Sequence, residues 1–124
     1  MMASITGPKG PQRPLLAHRL TLLGLGLFGL GVATLAHAGV QYRVSQKGRA
    51  FAPAMLAVQN GDSIEFVNDD GELLHHAYLE SEQYSFDTGD QAPGSRTLIA
   101  FPKKGSFTVL CGIHPKMKLS VQVR

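Results

Sequence analysis

One cysteine and no tryptophan occur in the 124 residues. A single thiol excludes an intramolecular disulfide framework and any zinc ribbon or knuckle built on paired cysteines. No internal repeat, low-complexity tract or interdomain linker is present, and the length suits one folded domain. Acidic residues are missing from positions 1–19, which hold Lys9, Arg13 and Arg19. Charge of either sign is missing from positions 20–36, LTLLGLGLFGLGVATLA, and this run ends at Ala36-His37-Ala38 before Gly39. A basic start, an apolar stretch and a small-x-small site make a secretory signal peptide, with cleavage expected after Ala38. The competing reading is an uncleaved membrane anchor. The run is marginal in length for a span, and Gly24, Gly26, Gly29 and Gly31 weaken it as a helix. Arg13 and Arg19 are not adjacent, so a twin-arginine route has no support. On either reading the remainder is exported, and the periplasm is its expected compartment.

The formal charge of +3 invites a nucleic-acid or membrane-surface partner. Its position along the chain removes that inference. Residues 39–124 carry nine basic side chains (Arg43, Lys47, Arg49, Arg96, Lys103, Lys104, Lys116, Lys118 and Arg124) and all nine acids. The expected domain, 39–124, is therefore formally neutral. No nucleic acid is expected as a partner, and a membrane only if the leader persists. A domain of this size buries only about 60% of its unfolded surface. Without disulfides a bound metal is one available staple.

Period-two patterning marks strands with one buried face. Val40, Tyr42 and Val44 show it, as do Ile64 and Phe66, then Phe107, Val109 and Cys111, then Leu119, Val121 and Val123. Further strands are expected over 55–58, 75–80 and 96–101. Turn signals separate them at Asn60-Gly61-Asp62, Asp69-Asp70-Gly71, Thr88-Gly89-Asp90, Ala92-Pro93-Gly94 and Lys103-Lys104-Gly105. No helical period follows Gly39. An all-β antiparallel sandwich or small barrel of about seven to eight short strands is the expectation. Met55 reads as core, Tyr42, Tyr78 and Tyr84 as packing residues, and Lys103-Lys104 as a solvated turn.

The stretch that carries chemistry is Cys111-Gly112-Ile113-His114-Pro115-Lys116-Met117. It ends one strand and precedes the last, and its C-x2-H-x2-M spacing offers a thiolate, an imidazole and a thioether. A tight turn helped by Gly112 and Pro115 brings the three together. This mixture suits copper: sulfur favours Cu(I), imidazole serves both oxidation states, and Met is a weak axial donor. A second His must come from a distant strand, and the candidates are His75 and His76. Strand parity puts His75 with Ala77 and Leu79, and His76 with Tyr78 and Glu80, so His75 is the expected inward ligand. Taken singly, a lone Cys is an inert core residue and an adjacent His pair is ordinary surface. Their combination with the loop reverses that balance.

With these residues the chain resembles the cupredoxins, the small blue copper proteins of the plastocyanin and azurin kind. Its short C-x2-H-x2-M loop, with Pro after the His, is similar to that of the amicyanins. The likeness extends over Lys47-Gly48-Arg49-Ala50-Phe51-Ala52-Pro53, Asn60-Gly61-Asp62-Ser63-Ile64-Glu65-Phe66-Val67-Asn68, Phe86-Asp87-Thr88-Gly89 with Pro93-Gly94, and Lys104-Gly105-Ser106-Phe107. It implies a Greek-key β-sandwich and one type 1 copper ion. His75, Cys111 and His114 would be its strong ligands and Met117 the axial one. Two positions depart from the pattern. His76 stands where the family has an Asn whose amide braces the Cys loop, and Gly112 stands where a hydroxyl or acidic residue is common.

The resemblance implies a monomeric one-electron carrier between redox proteins, of the cytochrome or dehydrogenase/oxidase type, and no catalytic residues. His114 would present its ring edge to solvent, ringed by Ile113, Pro115 and Lys116. Asp69, Asp70 and Glu72 lead toward His75, so a mixed collar of charge is expected. A second reading uses the same ligands for periplasmic copper sequestration, tolerance or delivery, with His76 as an extra donor. A Cys-His nucleophile leaves Met117 without a role, and zinc, which accepts Cys and His, fits the thioether less well than copper.

Overall fold

Side-chain alternation produces nine strands in the computed structural model, which describes Gly31, Ala33 and residues 38–124. The chain divides into two units, Met1–Thr34 and Leu35–Arg124, and every strand belongs to the second. The expected leader lies, apart from Gly31, Ala33 and Ala38, outside the described residues. One sheet contains β1 (Gln41–Lys47), β2 (Ala50–Ala52), β4 (Ser63–Asn68) and β7 (Arg96–Ala100), in the order β2-β1-β4-β7. The other contains β3 (Met55–Val58), β5 (Ala77–Leu79), β6 (Phe86–Asp87), β8 (Gly105–Cys111) and β9 (Lys118–Val123), in the order β3-β9-β8-β5-β6. No helix occurs among the described residues.

The inward faces are those the alternation marks. Val44, Ile64 and Phe66 from the first sheet meet Val109, Leu119 and Val121 from the second in one core. Burial of each such side chain contributes about 1.5–3 kcal/mol. Tyr84, Phe86, Phe101 and Phe107 add a cluster of edge-on and tilted aromatic contacts, with centroids 5.7–6.2 Å apart. Met55 departs from expectation. It is 77% exposed, because Leu56 and Val58 take the inward positions of β3 and leave Met55 and Ala57 facing out.

Two pairings are parallel, β1 with β4 and β3 with β9, and the others are antiparallel. Alternation reports which face a residue shows and carries no information on strand direction. The strands without a sequence signal, β2 and β6, span three and two residues, too few to display a period. Between β1 and β2 the chain reverses through Gly48 and Arg49, both with positive φ (59° and 60°), as a type I′ hairpin turn requires. At the start of the domain a Cβ on Gly39 would collide with the Gly61 carbonyl. The close approach lets the Val40 N–H donate to Asp62 Oδ1 at 2.7 Å.

Candidate metal centre

Three of the four expected ligands meet where β8 ends. Cys111 is the last residue of β8, opposite Ala77 of β5, and only 4% exposed. The chain then turns: the Gly112 N–H donates to the His76 carbonyl at 2.8 Å, and the Met117 N–H to the His114 carbonyl at 3.0 Å. These bonds fold His114 back until its Nδ1 lies 3.7 Å from Cys111 Sγ. Met117 is buried at the close of the same loop, immediately before β9.

His75 arrives from the connection between β4 and β5 and is fully buried. Its backbone forms a bridge with Gln91, whose carbonyl accepts at 3.1 Å and whose N–H donates at 2.7 Å. Gln91 is itself fixed in the first sheet. Its Oε1 accepts from Gln46 Nε2 at 2.8 Å, and its Nε2 donates to Thr97 Oγ1 at 2.9 Å. Asn68 Nδ2 donates to the carbonyls of both Leu73 and Gln91 at 2.8 Å. A buried amide network therefore sets the height of His75 against the second sheet. None of Gln46, Asn68 and Gln91 was marked as a site residue by the sequence, since their partners lie many residues away.

The His75 ring is tilted against that of His114, with centroids 5.0 Å apart. One donor atom each from His75, Cys111 and His114 falls within 4.8 Å of the others. Asp70 Oδ2 sits 2.6 Å from His75 Nε2, while His75 Nδ1 is buried without a hydrogen-bond partner among the described residues. An orphaned ring nitrogen beside a thiol and a second imidazole is the environment a metal ion satisfies. Thiolate, two imidazoles and a nearby thioether fit copper best. Among acids leading toward His75, Asp70 is the one that touches it; the sequence showed it as part of a turn and of a charge collar, not as a partner of the ring.

His76 does not join the cluster. Its Nδ1 lies 3.0 Å from Asp90 Oδ1 and its Nε2 2.5 Å from Asp87 Oδ1. Its side chain thus faces outward with Tyr78, as parity requires. The loop brace comes from its backbone carbonyl instead of its side chain. Gly112 permits this, since a Cβ there would stand 3.3 Å from His76 Cγ.

Electrostatics separate the three rings. Burial holds the His114 imidazole below the ordinary histidine range, and the neighbouring His75 and Arg49 push the same way against Asp70. That favours the neutral form of the His114 imidazole. Burial also opposes charging of His76, but its bonds to Asp90 and Asp87 prevail and raise its pKa. The bond from His75, then the Gly48 N–H, lowers the Asp70 carboxyl. At the surface, His114, Arg49, Pro115 and Lys116 line a shallow depression, beside which Ile113 is 41% exposed.

Neither a protein-family model nor a curated protein matches the chain. Solved structures do. A Cu-containing nitrite reductase from Thermus scotoductus SA-01 superposes with a TM-score of 0.63 and 32% identity over 68% of this chain, but over only 22% of that one. A reduced Cu(I) form of an amicyanin mutant at pH 4 gives a TM-score of 0.62 and 17% identity, covering 68% of this chain and 82% of the other. A second reduced amicyanin mutant gives 0.62 and 18%, covering 74% and 88%. With two mixed sheets and a Cys-His-His cluster where β8 ends, its Cys111 and His75 buried, the chain is a cupredoxin by fold.

Proposed function

We propose that this chain is a small type 1 copper protein that carries single electrons between redox proteins. The carrying observation is the buried His75 Nδ1 without a partner, in a residue that offers one donor atom within 4.8 Å of those of Cys111 and His114. Met117 is the proposed axial ligand. Bound copper would supply the one-electron couple; the protein supplies a fixed frame around it. Cys111 is held by β8, His75 by its bridge to Gln91, and His114 by the turn to Met117. Donors anchored in this way rearrange little when the charge at their centre changes.

His114 is the ligand that reaches the surface, so its ring edge is the proposed electron port. Its surroundings, Ile113 and Pro115 with Arg49 and Lys116, form a small docking face for a redox protein. The amicyanin structures are Cu(I) and mutant forms of a protein that covers most of this chain. The nitrite reductase extends far beyond it. Copper delivery, the second reading, calls for exposed donors, whereas Cys111, His75 and Met117 are buried. The leader-like residues 1–38 support the periplasm as the proposed compartment.

Titration of the domain with Cu(II) tests the reading. One ion should bind and give an intense blue thiolate-to-copper band with a narrow EPR hyperfine pattern. Cys111→Ala should abolish the band. Full copper occupancy without colour would overturn the type 1 assignment. Slow exchange between oxidised and reduced protein and a periplasmic cytochrome would overturn the carrier role.

A further inference from the structure

The His75 ring makes two opposite kinds of contact through its two nitrogens, and only one of them belongs to the metal-ligand set. Nδ1 is buried without a hydrogen-bond partner among the described residues; Nε2 meets a carboxylate, Asp70 Oδ2, at 2.6 Å. That carboxylate is not free to swing. Its Oδ1 accepts the Gly48 N–H from the β1–β2 turn at 3.1 Å, and the Asp70 N–H donates to Asn68 Oδ1 at 3.0 Å. Asn68 is in turn tied to Leu73 and Gln91. The brace therefore rests on the same amide network that fixes the His75 backbone.

We propose that Asp70 is a positioning residue for His75: it keeps the ring proton on Nε2, aims an unprotonated Nδ1 at the metal, and sets a negative charge behind the ring that favours Cu(II) over Cu(I). This rests on the copper reading above. A neutral imidazole has one N–H donor and one acceptor nitrogen, and a carboxylate can only accept. The contact at Nε2 thus selects the tautomer that frees Nδ1. A carboxylate bonded to a ligating imidazole also makes the ring a stronger donor. Its charge sits in a largely buried setting, where screening by water is weak. His75 and Asp70 act together as one anionic unit, whereas His114, lying against Arg49 and Lys116, carries no such partner among the described residues. The two imidazole ligands are thereby made unequal.

Two variants and two measurements test this. In the metal-free wild type, long-range 15N–1H NMR should show the His75 proton on Nε2, and in Asp70→Ala an Nδ1-protonated population should appear. Cu(II) affinity of Asp70→Ala should fall about 10- to 100-fold. Asp70→Asn, nearly isosteric and therefore expected to fold, should keep the blue band and shift the reduction potential upward. A purely structural tie to Gly48 would alter stability while leaving tautomer and potential as in the wild type. Either an Nδ1 proton in wild-type apoprotein or an unchanged potential in Asp70→Asn would overturn the proposal. If wild-type protein bound copper without the blue band, the reading of the preceding section would fail, while the tautomer in apoprotein would still decide this one.

Discussion

His76 illustrates how much a single side chain's neighbours decide. It is adjacent to a proposed ligand and chemically identical to it, yet Asp87 and Asp90 engage both of its nitrogens. A ring that donates from both nitrogens is an imidazolium, in keeping with its raised pKa. The linkage has a definite sign. A pKa raised above the ordinary 6.5 gives stability fully present below 6.5 and lost as pH climbs through the folded-state value. His76→Gln should therefore melt below wild type in acid, with the gap closing as pH rises above 6.5. Melting temperatures of the two metal-free proteins across pH 5 to 9 check this, and a gap that widens with pH refutes it. At this scale the candidate ligands were legible and their supports were not. Cys111, His114 and Met117 stand in a short motif, and parity selects His75. Asp70, Gln91 and Arg49 gain their roles from folded neighbours, as when Gln46 bonds Gln91 across 45 positions.

The elements divide between those that bury side chains and those that only complete an edge. Leu119 and Met55 make the contrast, one fully buried on the central strand β9 and the other outward on edge strand β3. Leu119→Ala should cost about 2–5 kcal/mol through lost burial and a cavity. Met55→Ser should stay within about 0.5 kcal/mol. Urea unfolding of both variants measures the difference, and equal losses would contradict the orientation of β3. The amide network makes a third case. Gln91→Ala removes the acceptor of Gln46 and the donor to Thr97 in the interior. Leaving such groups unpaired should cost about 1–3 kcal/mol, read in the same experiment. Strand faces could be read from the sequence because alternation is local. Direction could not: β1 and β4 lie parallel because of how the chain crosses between sheets, and Met55 was misjudged on residue type against its own strand's parity.

Across the whole molecule, the useful electrostatic quantity is where charge remains after internal pairing. Residues 39–124 are formally neutral, so net charge steers nothing. Two of the three acids expected to form half of a mixed collar are already engaged: Asp69 bonds Arg43 and Asp70 bonds His75, whereas Glu72 takes part in no ion pair among the described residues. Asp87 and Asp90 share the His76 cation. Arg49 and Lys116, which flank His114, take part in no ion pair among the described residues. The charge that lines the depression at the proposed electron port is thus cationic, Arg49 and Lys116, suited to a partner with an acidic rim. Charges this close to the point of encounter act within about 8 Å, the screening length at physiological ionic strength. Electron exchange with an anionic complex such as ferricyanide should be faster than with a cationic cobalt complex after correction for driving force. Added salt should narrow the gap, and Arg49→Glu with Lys116→Glu should invert it. Stopped-flow rates across a salt series provide the measurement. A flat salt dependence, or a double variant that keeps the wild-type preference, would move the docking face away from His114.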